Sequence, residues 1–328
     1  MFRKAERKQA KLRLALDGPS GAGKTYSALL VAMGLAPGGR IAMIDTERRS
    51  GELYADLTDY DVAPLDPPYT PTRYIELIAR AEKDGYDVLI IDSLSHAWTG
   101  EGGVLDMHDK ATAASRSGNS FMAWREVTPQ HNALVDAIIG ASLHVIVTMR
   151  TKTAYDLVDD NGQKKPIKIG MAPIQRDGME YEFTCVMDLS VNSHVATATK
   201  DRTRLFDGQH FVPTVQTGEA LRDWLMTGKD PVEESRKALR ALKAAVTRID
   251  AVPHLTNWWR AHEPEISQLT AADRLALTDH CAKRKALLLA ALAAGESPDA
   301  GATIKGNGQH STAPVGLDAV AGVAGTAH

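Results

Sequence analysis

Eight residues, Gly18-Pro19-Ser20-Gly21-Ala22-Gly23-Lys24-Thr25, constrain this chain more than any other stretch. They satisfy the pattern GxxxxGK[ST] at every fixed position, directly after the apolar run Leu12–Asp17 and directly before an apolar-periodic segment, Lys24–Leu35. A strand that enters a glycine-rich turn and leaves as a helix can turn its backbone N–H groups inward around an anion. The amino terminus of the helix adds partial positive charge to the same hollow. In such a loop the lysine reaches the β and γ phosphates of a nucleotide and the hydroxyl of Thr25 ligates Mg²⁺. ATP and Mg²⁺ are therefore the expected ligands, set against the plainer reading of a glycine-rich turn that binds nothing.

A second motif supplies the rest of such a site. Tyr86-Asp87-Val88-Leu89-Ile90-Ile91-Asp92-Ser93 reads as a buried strand whose carboxyl end carries an acid, and Asp92 is expected to hold the metal's shell through water. A buried strand capped by an aspartate is weak evidence alone and strong evidence beside the loop. A third run, Ile41-Ala42-Met43-Ile44-Asp45-Thr46-Glu47, puts Glu47 just past a strand end on the ligand side. There a carboxylate can orient and deprotonate an attacking water; the alternative is a solvated loop glutamate beside Arg48 and Arg49.

These runs belong to a larger alternation. Strands are expected at Leu12–Asp17, Arg40–Asp45, Val88–Asp92 and His144–Thr148, and helices at Lys24–Leu35, Thr72–Asp84 and Trp124–Gly140. That order reads as an α/β fold with a mostly parallel sheet, which places ligands at the carboxyl ends of its strands. After Gly178 the runs Tyr181–Val191, His194–Lys200 and Phe211–Val215 look like antiparallel strands at one edge. Asp230-Pro231 with Glu233 then starts a helix with the apolar stripe Leu239, Leu242, Val246 and Ile249, and Thr270 with Asp273 starts another. Leu255, Trp258, Trp259, Ile266 and Leu269 are expected to form a small helical core. The expected organisation is a basic arm at 1–10, a nucleotide-binding core at 11–228, a helical region at 229–295 and a Gly/Ala/Ser/Thr-rich disordered tail at 296–328.

Composition narrows the function classes. The 328 residues carry 38 Lys+Arg against 41 Asp+Glu, a net charge of -3, so any contact with nucleic acid must be a local patch. Cys185 and Cys281 form no CxxC or Cys/His cluster, which excludes a disulfide framework and a zinc site from the expectation. No run is long and apolar enough to cross a membrane, and a cytoplasmic protein is expected. The basic amino terminus (Arg3, Lys4, Arg7, Lys8, Lys11, Arg13) reads as a solvated arm or as a DNA contact.

Taken together, a phosphate loop, a strand ending Ile44-Asp45-Thr46-Glu47 and a strand ending Ile91-Asp92-Ser93 resemble the RecA/RadA core of recombination ATPases. The resemblance implies that Glu47 is the catalytic base. Ala198-Thr199-Lys200-Asp201-Arg202-Thr203-Arg204 is similar to that family's Lys-Asn-Lys or Lys-Asn-Arg motif, with Asp201 in place of the asparagine. By that likeness Lys200 and Arg202 act across a subunit interface on a neighbour's γ-phosphate, and Ser93, Thr148 and Arg150 stand near the family's polar sensor, whose usual amide is absent. More narrowly, Pro173-Ile174-Gln175-Arg176-Asp177-Gly178-Met179-Glu180-Tyr181-Glu182-Phe183 followed by Thr199–Thr203 resembles phage-encoded single-strand annealing proteins with a RecA-like core.

The resemblance implies a homo-oligomer with ATP between copies, single-stranded DNA as partner, and a phage exonuclease or single-strand binding protein as further partners. RecA-like cores meet DNA through two loops. The candidates here are Thr99–Ser120, with Arg116, and Lys152–Gly178, a hairpin signalled by Asn161-Gly162 and carrying Lys152, Tyr155, Lys164, Lys165, Lys168 and Arg176. The expected activity is DNA-stimulated ATP hydrolysis serving annealing or strand exchange. A helicase-like motor and a nucleotide or small-molecule kinase remain as alternatives.

Overall fold

Apolar runs of four to six residues are too short to cover a core as helices, and here they pair side by side in one sheet. In the computed structural model of the protein, residues 4–115, 118–160 and 163–294 are described, with side chains excepted at 153–170. The chain divides into two compact units, Met1–Asp230 and Pro231–His328. The first holds, in chain order, β1 (Arg13–Gly18), α1 (Lys24–Leu35), β2 (Ile41–Asp45), β3 (Asp61–Pro64), α2 (Pro71–Lys83), β4 (Val88–Asp92), α3 (Ser95–Thr99), α4 (Val104–Ala114) and α5 (Ser120–Gly140). It continues with β5 (His144–Asp160), β6 (Gln163–Pro173), β7 (Cys185–Leu189), β8 (Ala196–Asp201), β9 (His210–Phe211) and α6 (Val215–Met226).

The strand order is β3-β2-β4-β5-β1-β7-β8-β9, and β6 pairs with β5 off that path. The ladders from β3 through to β7 are parallel, whereas β7–β8, β8–β9 and β5–β6 are antiparallel. This is the α/β sheet with antiparallel edge strands that the sequence predicts. The parallel strands all end at one edge, which gathers Gly18, Asp45, Asp92 and Thr148.

Alternation along β1 fixes the two cores. Leu14 and Leu16 pack with Leu29 and Val31 of α1 and Leu221 of α6 on one face; Ala15 packs with Ile91, Val147 and Ile138 on the other. α1 meets α6 backbone to backbone. A Cβ on Gly34 would lie 1.9 Å from the Val215 carbonyl oxygen, and one on Gly218 would lie 2.1 Å from that of Val31. Arg13, counted with the basic arm in the sequence, is instead buried in β1. Its guanidinium donates to the carbonyls of Ile139 and Leu143, at 2.8 and 2.9 Å, and of Ala141, closing the carboxyl end of α5. Burial lowers its pKa to about 10. The arm itself is tied down: Gln9 N–H donates to Lys229 O, Lys229 N–H to Arg7 O, and the Arg7 guanidinium lies 3.9 Å from the Trp224 ring centre.

Three expectations are corrected. The first candidate DNA loop, Thr99–Ser120, is mostly helix, because α4 occupies its middle. Tyr181–Val191 is not one strand: a 3-10 turn at Met179–Glu182 precedes the shorter β7. Val215 opens α6 rather than closing a strand, since a capping box joins Thr214 and Thr217 there. The second candidate loop is a hairpin, with Asp160 paired to Gln163 across the turn.

The second unit contains α7 (Pro231–Thr247), α8 (Val252–Ala261), α9 (Glu263–Ile266) and α10 (Ala271–Ala294). Leu242, Val246, Leu255, Ile266, Leu269 and Leu277 form its core, with Trp258 and Trp259 packed at the margin. The tail at 296–328 lies outside the described residues. Among those described, no helix is long and apolar enough to cross a membrane.

Candidate nucleotide site

The loop after β1 turns through two left-handed glycines, Gly21 (φ 81°) and Gly23 (φ 83°), conformations that a Cβ disfavours. Gly23 caps α1 and hands the chain into the helix, where Ser27 N–H donates to Gly23 O at 2.9 Å. The Lys24 ammonium folds back onto its own loop, donating to Gly18 O and Pro19 O, both at 2.9 Å. Burial lowers its pKa, against the opposing pull of the Asp92 and Glu47 carboxylates. The loop is thus a preformed hollow with an ammonium at its rim.

Asp92 stands at the end of β4 and is 2% exposed. Its two oxygens accept from two hydroxyls, Thr25 Oγ1 at 2.6 Å and Thr148 Oγ1 at 2.5 Å. Burial raises its pKa and those hydroxyls oppose the rise. The residues therefore fit the expected metal: a hydroxyl and a carboxylate, both hard oxygen donors, meet at the foot of the phosphate hollow. Thr25 and Asp92 would hold Mg²⁺, which when bound neutralises phosphate charge.

Glu47 follows β2, and Asp45 shapes the turn that carries it. The Asp45 carboxylate accepts from Glu47 N–H at 2.6 Å and Gly51 N–H at 2.9 Å, while Arg48 and Arg49 adopt left-handed φ of 57° and 66°. Thr46 clips the strand end to β4: its N–H donates to Asp92 O at 2.7 Å, its hydroxyl accepts from Ser93 N–H at 2.8 Å and meets His96 Nδ1 at 2.7 Å. Arg150 grips Glu47 with both arms, Nε donating to Oε1 at 2.8 Å and Nη2 to Oε2. Burial pushes the Glu47 carboxyl up, but the Arg150 hydrogen bonds and charge outweigh it, so its pKa lies below the ordinary value. The glutamate is ionised and engaged.

Of the sequence-predicted residues, the structure brings together Lys24, Thr25, Asp92, Thr148, Glu47, Ser93 and Arg150. It holds Lys200, on β8, and Arg202, just past the end of that strand, apart from that cluster, two strands beyond β1. Lys200 donates to Glu180 O at 2.9 Å and Tyr181 O at 2.6 Å, and Arg202 to Tyr181 O at 2.9 Å. Lys152 is exposed at the base of the hairpin, and the Arg176 guanidinium lies 5.7 Å from the Trp124 ring centre. Arg116 lies outside the described residues, as do the side chains of Tyr155, Lys164, Lys165 and Lys168.

Several neighbours escaped the sequence reading. Asp45 is legible as the acid ending a buried strand, but its part in holding the turn that carries Glu47 is not. His194 (φ 53°) sits in the β7–β8 turn against the loop, its Nδ1 3.1 Å from where a Cβ on Gly23 would stand. No local pattern announces that contact, 171 positions apart in the chain. Phe121 and Met122 are 75% and 49% exposed at the first turn of α5, beside the stacked rings of Trp124, Trp98 and His108.

The AAA domain family matches residues 10–221. No curated protein matches the chain. That match spans β1 to α6 and so contains the loop, both strand-end carboxylates and the hairpin. With the phosphate hollow, the Lys24 ammonium and the Thr25–Asp92 pair in place, the chain belongs to the AAA domain family and carries an AAA-type P-loop ATPase domain.

Proposed function

We propose that the protein hydrolyses ATP to drive a phage recombination step, binding single-stranded DNA and promoting annealing or strand exchange as a homo-oligomer with ATP between copies. The observation that carries this reading is the course of β5. Within the sheet it supplies Thr148 to Asp92 and Arg150 to Glu47. From Thr151 to Asp160 it pairs only with β6, leaving the sheet as a hairpin about 30 Å long at ~3.3 Å per residue. One strand therefore joins the hydrolytic groups to an arm whose sequence carries Lys152, Lys164, Lys165 and Lys168.

In this reading Lys24 exchanges its loop carbonyls for phosphate oxygens, and Thr25 with Asp92 holds the metal. Glu47 takes a proton from the attacking water once Arg150 lets it go. Ser93 and Thr148 report on Asp92 and the phosphate, Lys200 and Arg202 reach the γ-phosphate of a neighbouring copy, and the hairpin lysines with Arg176 and Arg116 meet the DNA backbone. The exposed Phe121 supplies an aromatic face for a base, alongside Tyr155.

The test is binding of labelled single-stranded oligonucleotide across a salt series, with annealing of complementary strands followed in parallel. Affinity should fall steeply as salt rises, because lysine–phosphate contacts release counterions. Salt-independent binding, or no acceleration of annealing, contradicts the reading.

A further inference from the structure

A second cavity opens on the opposite face of β1 from α1. It has a volume of about 370 Å³, within the range of small-ligand cavities, which starts near ~300 Å³. Two of its lining groups are orphans: Asp17 Oδ1 and Thr151 Oγ1 are buried with no hydrogen-bond partner. Asp17 is 5% exposed and is the penultimate residue of β1, next to Gly18 at the start of the phosphate loop. A buried polar atom left unpaired is costly, and two on separate strands facing one space point to a shared ligand.

The charge of that space is negative. Asp17 is in register with Asp188 on β7, and Asp177 and Glu180 line the same cavity, against one cation, Arg176. Lys24 of α1 also acts on Asp17 from the far side. Among the described residues no group of three or more His, Cys, Asp or Glu side chains is arranged to hold a metal ion. Separated acceptors on adjacent strands suit a cation that spreads several N–H donors instead.

We propose that this cavity is a binding site for an ammonium or guanidinium group, held by Asp17, Asp188 and Thr151. Two sources share that chemistry: a free polyamine-type cation, or a lysine or arginine side chain delivered by a second copy of this chain. The site lies at the base of the hairpin, where Thr151 pairs with Pro173, but the proposal does not rest on the hairpin's action on DNA.

Agmatine, which carries both groups, is the probe. Its affinity for the full chain is measured calorimetrically at pH 8 for the native protein, D17N and T151V, and oligomeric mass is followed by light scattering with and without it. Loss of a hydrogen bond to a charged group weakens binding by about tenfold or more, so D17N should weaken agmatine at least that much and T151V in the same direction. Asp17 has its pKa raised to about 7 by burial and by Asp188 and Glu180, against the pull of Lys24. Binding should accordingly strengthen from pH 6 to pH 8 as Asp17 ionises, and that pH dependence should vanish in D17N. Unchanged mass identifies the free cation as the ligand; oligomers that agmatine dissociates, and that D17N fails to form, identify the second copy. Agmatine affinity and mass both indifferent to D17N and to T151V overturn the proposal. T151V alters no charge and keeps the test decisive if D17N does not fold.

Discussion

The decisive contact at the residue scale is the grip of Arg150 on Glu47. A carboxylate engaged by a guanidinium on both oxygens is stabilised as an anion and is a poor proton acceptor until released. The pair is partly exposed, so it can open at modest cost. Glu47→Gln should leave ATP binding intact and lower turnover by about 10² to 10⁴, the usual worth of a general base; turnover near the native rate in that variant removes Glu47 from the role. Arg150→Ala should act in the opposite direction. Steady-state hydrolysis without DNA rises several-fold, and added single-stranded DNA raises it little further. A variant whose basal rate stays low and whose response to DNA stays large would show that the ion pair restrains nothing.

At the scale of elements, the parts legible in the sequence are those whose causes are local. The glycines of the loop, Lys24, Thr25 and the strand ending at Asp92 announce themselves within a few residues, and Val88–Asp92 and Lys24–Leu35 match their predicted bounds. α4 hid in a glycine- and serine-flanked stretch because it buries only Val104 of its eleven residues and so shows little periodicity. β3 hid as a short, half-exposed edge strand ending in proline. Pairings such as Glu47 with Arg150, or Thr148 with Asp92, join residues far apart in the chain and depend on strand order, which no local pattern encodes. The α1–α6 contact is of the same kind, and it yields a stability prediction. Gly34→Ala forces a methyl into the Val215 carbonyl, costing about 2 kcal/mol of overpacking and lowering the melting temperature by about 6 °C. A melting temperature within a degree of native would mean that the helices separate without cost.

For the whole molecule, a net charge of -3 conceals where charge acts. Lysines and Arg176 sit on or beside the β5–β6 hairpin, Lys200 and Arg202 at a sheet edge, and carboxylates at the strand ends and in the second cavity. The second unit, from Pro231, has its own small core, built on Leu242, Val246 and Leu277. The account therefore stands or falls on whether β5 transmits an event on the hairpin to Glu47. The direct measurement is the rate of ATP hydrolysis by the full chain with and without single-stranded oligonucleotide at one salt concentration, with Lys24→Ala as the silent control. The account predicts that DNA raises the native rate several-fold while Lys24→Ala stays inactive under both conditions. A native rate that is the same with and without DNA would contradict it.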